Sequence, residues 1–188
     1  MRTIRNTKTI SGLFAASFLA ATAVAAQDFE QNIEKTFKVA QGGQLVLHAD
    51  RGSVDVKTDQ GDQVQVHVFR KVSGGSKSNA DELFANHEVT LTQDGNKVLV
   101  VAKNKTNKVF SWSFNRPGMD VHYVINIPKK FNVELKTAGG NIQLADLDGE
   151  ALAHTSSGSI KVGHVSGKVD GLRNCLIWPI PSLSMRSI

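Results

Sequence analysis

The sequence predicts an all-β protein with right-handed β-solenoid or β-helix-like repeats of about 18 residues and one short helix near residues 79–86. One observation is that residues 133–149 and 151–167 carry the same order of alternating apolar residues, threonine and glycine, 18 positions apart. A second is that residues 45–56 carry the same order once more. Alternation at a fixed period indicates coils of chain that each bury one face and stack on the next.

Glycine recurs at the same place in each predicted coil. A tight corner between stacked strands often requires a positive φ or a close backbone approach, which a side chain would obstruct. An ordinary meander of hairpins with similar turns is the alternative interpretation of this spacing. The predicted structural corners are Gly52, Gly140, Gly149, Gly158 and Gly167.

Residues 1–26 have the pattern of a secretory signal peptide. Basic residues precede an apolar, alanine-rich run, and the segment ends in Ala23-Val24-Ala25-Ala26, an A-x-A cleavage site. The run is too short to be a convincing membrane span, so no span is expected after cleavage, with a retained N-terminal anchor as the alternative. We therefore expect an exported protein, located in the periplasm, on the outer cell surface or outside the cell.

The charge balance argues against a nucleic-acid partner. Of the net charge of +5, three charges lie in residues 1–26 and two are Arg173 and Arg186. The remaining chain is neutral and has no concentrated basic face to collect phosphates. Cys175 is the only cysteine, so no intramolecular disulfide is expected.

The elements are predicted in chain order from periodicity. Residues 27–38 are interpreted as a short helical or irregular lead-in, and strands follow at 37–47 and 64–68. Asn79, with Glu82 three positions later, predicts the N-terminus of the short helix. The turn at 93–96 predicts a hairpin, and the alternation over 121–127 ends at Pro128, before the repeats.

An aromatic stripe is the strongest candidate for binding. Phe110, Trp112 and Phe114 alternate, so their rings share one face of a strand, and Arg116 follows. Facing outward, the rings could stack on sugars or contact a partner; facing inward, they would fill the core. The serines between them favour the inward interpretation.

No catalytic motif or cofactor site is predicted. The histidines lack the spacing of metal ligands, and the aspartates fit no known calcium loop. His154 and His164 with Asp146 or Asp148 could meet across stacked coils, but solvated surface side chains explain them better. We therefore expect no metal, no cofactor and no catalytic residue.

The order of strand, glycine corner, short helix, hairpin, Tyr123-to-Pro128 strand and Thr-x-x-Gly-x-Ile-x-Leu repeats resembles the bacterial putative-adhesin family of unknown function. The resemblance covers about residues 37–171 and implies an exported β protein with an adhesin-like role, and it supplies no catalytic residues. It suggests an adhesin-like domain at 27–171. Arg173 and Leu176 break the repeat, so residues 172–188 are interpreted as an atypical tail, either truncated or frame-shifted, or else a native cap.

The predicted function is an exported adhesin-like binding module or structural module of the cell envelope, without catalytic activity. The expected partners are an envelope polysaccharide or protein, and the exposed terminal coil could self-associate. The alternatives are a periplasmic polysaccharide-acting enzyme on a β-helix, which would require carboxylates about 5–10 Å apart, and a truncated inactive fragment.

Overall fold

The computed structural model describes residues 27–105 and 118–173 and confirms a mostly β protein with one short helix. The predicted signal peptide, the aromatic stripe at 110–116 and the tail beyond Arg173 lie outside the described residues. The elements in chain order are β1 (Asp28–Lys38), β2 (Gly43–Ala49), β3 (Ser53–Asp59), β4 (Gln63–Ser73), α1 (Lys77–Asn86), β5 (His87–Asp94), β6 (Lys97–Asn104), β7 (Met119–Pro128), β8 (Phe131–Thr137), β9 (Ile142–Leu144), β10 (Ala151–Thr155), β11 (Ile160–Val162) and β12 (Val169–Arg173).

The strands form two six-stranded mixed sheets. Sheet A has the order β1-β4-β7-β3-β9-β11, and sheet B has the order β12-β10-β8-β2-β6-β5. Pairing is parallel around β3, β9 and β11 and around β2, β8, β10 and β12. The β1–β4–β7 and β5–β6 pairs are antiparallel, so the sheets are mixed and the structure is not a closed solenoid. The prediction of solenoid repeats was too broad, because antiparallel strand pairs form one end of each sheet, β1–β4–β7 in sheet A and β5–β6 in sheet B.

The predicted 18-residue repeat is visible in the register of the paired strands. Val133 pairs with Ala151, and Ala151 pairs with Val169, so each strand of sheet B lies beside its sequence equivalent. The upstream copy also takes its predicted place, because Leu45 lies beside Val133 and Val54 lies beside Ile142. One coil of this region, called a rung below, therefore contributes one strand to each sheet.

The corners of the rungs are held by stacked glycines and threonines. A Cβ added to Gly140 would lie 2.4 Å from the Gly52 carbonyl oxygen, and one added to Gly158 would lie 2.3 Å from the Gly140 carbonyl oxygen. All three glycines have a positive φ, from 110° to 137°. The buried Thr155 hydroxyl donates to the Gly140 carbonyl oxygen at 2.9 Å, as Thr137 does to Gly52 at 3.2 Å.

The rungs turn a second time on the opposite side, at Gly149 and Gly167. Glycine is required there only because a side chain would have no space. A Cβ on Gly149 would lie 2.0 Å from the Phe131 carbonyl oxygen, and one on Gly167 would lie 2.4 Å from the Gly149 carbonyl oxygen. Neither residue has a positive φ in this structure. Close stacking of one rung on the next therefore excludes a side chain here without any unusual backbone conformation.

The lead-in at 27–38 was predicted wrongly, because it forms the long edge strand β1. Phe29, Ile33 and Phe37 pack against the core at a spacing of four residues, which imitates a helical period. The positions between them in the strand alternation are polar. Gln31 accepts a hydrogen bond from Arg70, and Lys35 donates to the Leu91 carbonyl oxygen at 3.0 Å.

Helix α1 begins two residues before its predicted start. Ser76 is its N-cap, and the serine side chain accepts a hydrogen bond from the Asn79 backbone N–H at 3.3 Å. Asn79, predicted as the cap, lies inside the first turn. Several residues here could cap a helix, and the sequence alone did not distinguish Ser76 from Asn79.

The hydrophobic core lies between the two sheets. The inward residues of both sheets belong to one buried cluster, which includes Leu47, Val56, Ile125 and Leu135, each 0% exposed. The outward residues of sheet B are thereby aligned on the opposite face, where neighbouring strands present them side by side. That face carries the candidate site.

Candidate functional site

A row of outward side chains, called the rank below, crosses sheet B near the ends of its parallel strands. Val101 of β6, His48 of β2, Lys136 of β8 and His154 of β10 lie side by side in strand register. Since neighbouring strands are about 4.8 Å apart, the rank extends over roughly 14 Å. It presents two imidazoles and an ammonium group in a line across the strands.

His48, Lys136 and His154 of the rank border an open groove of about 380 Å³. Its size lies within the range of ligand sites, about 300–1,000 Å³. Small residues leave this space open at the strand ends, while longer polar side chains stand around it. The groove is lined by His48, Ala49, Asp50, Ala102, Lys103, Lys136, Thr137, Ala138, His154 and Ser156.

Glu134 organises one side of the groove. Its Oε1 accepts a hydrogen bond from Lys136 Nζ at 2.6 Å and lies 3.1 Å from His48 Nε2. The hydrogen bond from Lys136, followed by that from His48, lowers the pKa of the Glu134 carboxyl. A carboxylate stabilised in this way positions the Lys136 ammonium and the His48 imidazole and is a poor proton donor for catalysis.

Asp50 connects the groove to a buried polar cluster behind it. Asp50 Oδ2 accepts a hydrogen bond from the Asn104 backbone N–H at 2.8 Å. Its Oδ1 faces His87 Nε2 at 3.5 Å, and the His87 side chain is 0% exposed. The same aspartate therefore lines the groove and contacts the interior.

Arg70 is the centre of the buried cluster. Its guanidinium donates to the His87 carbonyl oxygen at 2.6 Å, to the Phe84 carbonyl oxygen at 3.1 Å and to Gln31 Oε1. The guanidinium also lies 5.4 Å from the centre of the Phe84 ring. One side chain of β4 thus ties the end of α1, the start of β5 and the edge strand β1 together.

Four buried polar atoms of the cluster lack a hydrogen-bond partner among the described residues: Asp50 Oδ1, Arg70 Nε, His87 Nε2 and the Tyr123 hydroxyl. Burial is the main cause that raises the pKa of Tyr123, so its hydroxyl stays protonated. Arg70 Nη1 lies 3.5 Å from His87 Nδ1. An arginine can only donate, so this contact favours the His87 tautomer that carries its proton on Nε2, facing Asp50.

We expect acid to destabilise the fold through His87. Burial lowers the pKa of His87 most, Asp50 opposes that effect, and the charges of Arg70 and Arg51 add to it. The unfolded histidine binds its proton near pH 6.5, so its neutral folded form contributes stability above that pH. That contribution decreases as the pH falls from about 6.5 towards the lower folded-state pKa. Urea unfolding should therefore give a lower free energy of unfolding at pH 5.0 than at pH 7.5.

The variant His87→Gln separates this effect from general acid sensitivity. It should remove most of the difference between the two pH values, whereas His122→Gln, at an exposed position of β7, should retain it. Equal pH dependence in the His87→Gln variant and the unchanged chain would contradict the assignment.

A second groove lies on the same face of sheet B, towards the beginnings of the strands. It encloses about 260 Å³ and includes the carboxylates Glu134, Glu150 and Asp170, with Lys168 nearby. Glu134 and Asp170 both lie beside Leu152 in register, on β8 and β12. Two strand spacings separate their backbones by about 10 Å, at the upper limit for paired glycosidase carboxylates. This acidic groove is the feature that keeps the enzyme alternative open.

The structure places the other predicted sites as follows. Phe110, Trp112, Phe114 and Arg116 lie outside the described residues. Asp146 Oδ1 accepts a hydrogen bond from the His164 backbone N–H at 2.8 Å, which links two successive rungs.

Within 27–105 and 118–173, no group of three His, Cys, Asp or Glu side chains is arranged to hold a metal ion. No helix in the same ranges is long and apolar enough to cross a membrane.

Sequence reasoning missed both the groove and the buried cluster. His48 and Lys136 are 88 positions apart, and Arg70 lies 17 positions from His87, so no local motif joins them. One signal was available for the groove: the repeat alignment equates residues 45–49 with 133–137 and 151–155, and so aligns His48, Lys136 and His154. Nothing comparable links Arg70 to His87.

Comparisons with known proteins point to one family. The family model described as Toastrack DUF4097 matches residues 44–175. No curated protein matches the chain.

Several solved structures are similar to the chain at low identity. One is described as a putative cell adhesion protein from Clostridium sporogenes, 10% identical, with 76% of this chain and 99% of that chain covered and a TM-score of 0.38. A putative adhesin from Bacteroides fragilis is 13% identical, with 75% of this chain and 61% of that chain covered and a TM-score of 0.36. A putative lipid binding protein from Parabacteroides distasonis is 13% identical, with coverages of 76% and 66% and a TM-score of 0.27.

Proposed function

Since this chain belongs to the Toastrack DUF4097 family, we propose that it is an exported, adhesin-like binding module of the cell envelope without catalytic activity. The observation that supports this most is the rank of His48, Lys136 and His154 beside the open groove. Stacked strands hold these side chains at a regular spacing, so the surface is prepared for an extended ligand. The signal-peptide pattern of residues 1–26 supports export.

An envelope polysaccharide is the ligand that we propose for the groove. Ammonium and imidazole groups donate hydrogen bonds to the hydroxyl and carboxylate oxygens of such a chain. A linear polymer lying across the strands would contact one donor per rung, and weak contacts repeated in this way add up through multivalency. In this proposal the 18-residue rungs form a right-handed solenoid whose backbone ladder keeps the donors in line.

The domain organisation belongs to the same proposal. Residues 1–26 would be removed on export, residues 27–171 would form the binding domain, and residues 172–188 would be an atypical tail. The aromatic stripe of Phe110, Trp112 and Phe114, with Arg116, would extend the binding surface. A Trp112→Ala variant that stays folded but binds less polysaccharide supports that extension, whereas loss of folding indicates a core role.

The groove is tested by removing two of its cationic groups. In the double variant Lys103→Ala, Lys136→Ala, we expect binding to immobilised acidic envelope polysaccharide to weaken about three- to tenfold. That range corresponds to two exposed charges at about 0.3–0.7 kcal/mol each. Biolayer interferometry with acidic and neutral polysaccharide fractions measures the change, and thermal melting confirms that the variant is folded.

The matched control changes the same residue types on sheet A. The double variant Lys57→Ala, Lys161→Ala removes two lysines from exposed positions of β3 and β11, and its binding should be unchanged. An equal loss in both double variants would show that the overall charge matters and the groove does not. Release of new reducing ends from the polysaccharide would instead identify the enzyme alternative, with the acidic groove as its site.

A further inference from the structure

The edge strands differ between the two ends of the β-sandwich: β1 and β5 lie at one end, and β11 and β12 at the other. At one end, Lys35 of β1 donates to the Leu91 carbonyl oxygen of β5 at 3.0 Å, and Gln93 donates to the Lys38 carbonyl oxygen at 2.6 Å. These bonds join the edge strands of the two sheets to each other. Charged side chains along β1 also discourage the pairing of a further strand.

At the other end, the described edge strands β11 and β12 each pair on one side only. At this end, no further described strand covers the inward residues of the last rung. Val133 and Ala151 are each 3% exposed, but their equivalent in the last rung, Val169, is 51% exposed. Among the described residues, Val169 is the one large apolar side chain that is exposed. It lies at an inward position of sheet B, beside the core residue Ala151. Within 27–105 and 118–173, the rung end is therefore an open core as well as an open sheet edge.

The backbone of β12 can accept another strand. The Ala151 N–H donates to the Lys168 carbonyl oxygen, which sets the alternation of the parallel ladder between β10 and β12. By that alternation, Asp170 and Leu172 pair with β10, while the backbone groups of Val169 and Gly171 point to the open side. An added strand would satisfy those groups and bring apolar atoms to Val169.

The sequence that follows does not encode another equivalent rung. The 18-residue spacing places Arg173 where Thr137 and Thr155 stand, and Leu176 where Gly140 and Gly158 stand. A Cβ at Gly158 would already lie 2.3 Å from the Gly140 carbonyl oxygen, at a φ of 137°. A leucine cannot take that stacked corner without strain. The sequence after Gly171 therefore lacks the threonine and the glycine that form the rung corners upstream.

We propose that the rung end binds the rung end of a second copy of this chain. Pairing of β12 with β12 about a two-fold axis would be antiparallel, would bury Val169 of both copies and would leave no open edge between them. Head-to-tail growth is disfavoured, since the β1 and β5 end is closed by its own side-chain bonds. This interface is on a different part of the molecule from the groove and does not depend on the proposed ligand.

The test is the oligomeric state of the full chain by sedimentation velocity over a concentration series. We expect a monomer–dimer equilibrium, with the dimer dissociation constant raised at least tenfold by Val169→Lys. Gly171→Pro is the second variant, because it removes an N–H on the open side and leaves the ladder to β10 intact. The control is Thr92→Lys, at an exposed position of β5 on the closed end, which should dimerise like the unchanged chain.

Three outcomes would overturn the proposal. A monomer at all concentrations would do so, and slow hydrogen exchange at Val169 and Gly171 in that monomer would show that the chain's own tail covers the edge. A dimer equally sensitive to Thr92→Lys would place the interface elsewhere. Growth beyond the dimer with increasing concentration would indicate head-to-tail stacking in place of two-fold pairing.

Discussion

Replacing Gly140 by alanine is expected to cost about 4 kcal/mol or more and to leave little native protein. The new Cβ would lie 2.4 Å from the Gly52 carbonyl oxygen and 2.9 Å from the Ser53 backbone nitrogen. Both are backbone atoms inside the stacked corner, so neither can move without separating two rungs. The φ of 124° adds strain for any residue with a side chain.

The neighbouring glycine gives a matched control. A Cβ on Gly139 would meet nothing within 4 Å, and this residue has no positive φ. Gly139→Ala should therefore change the free energy of unfolding by less than about 1 kcal/mol. Urea unfolding followed by circular dichroism compares the two variants. Similar stabilities for Gly139→Ala and Gly140→Ala would mean that the corners are not closely stacked.

Replacing Arg70 by methionine is expected to destabilise the protein by about 2–4 kcal/mol, through two buried carbonyl oxygens left without a donor. The guanidinium satisfies the Phe84 and His87 carbonyl oxygens, and Arg70 is 5% exposed. Methionine fills similar space but donates nothing, so these acceptors lose their partner in the interior. We also expect faster hydrogen exchange at the end of α1 and the start of β5, because Arg70 holds both.

Lys71→Met is the control for this substitution. The Lys71 ammonium lies 2.7 Å from Asp28 and 3.7 Å from Glu30 at the surface of sheet A. Exposed ion pairs of this kind contribute about 1 kcal/mol or less. Chemical denaturation should therefore separate two adjacent substitutions that each remove one cation. If the Arg70→Met and Lys71→Met variants unfolded at the same urea concentration, the buried hydrogen bonds would not be important for stability.

The repeated part of the fold was predictable from sequence because its physical requirements are periodic. Inward positions such as Leu135 and Ala153 must be apolar, and stacked corners such as Gly140 and Gly158 must lack a Cβ. Both requirements recur every 18 residues, so the sequence displays them directly. The register of β2 against β8 was visible for the same reason, although 88 residues separate the two copies.

The rest of the fold depends on single contacts between distant residues. Gln31 and Lys35 look like breaks in a strand pattern until Arg70 and Leu91 are known to lie beside them. The candidate site also depends on contacts between distant residues. Asp50 lies near His87 only because the corner between β2 and β3 approaches the end of α1. Periodicity carries no information about such pairs. That is why the predicted site residues were those of a local aromatic pattern.

The pairing of β2 with β8 also sets an order for folding. Strands β8 and β10 pair at a separation of 18 positions, whereas β2 pairs with β6 at 53 positions and with β8 at 88 positions. Closing the 53-residue loop costs about 1 kcal/mol more in chain entropy than closing the 18-residue loop, by the logarithmic dependence on loop length. We therefore expect the β5–β6 hairpin and the rungs at the carboxyl-terminal side to form before β2 is added to them. A chain that crosses a membrane amino terminus first would hold β2 without a strand partner until β6 had emerged, and β3 until β7 had emerged.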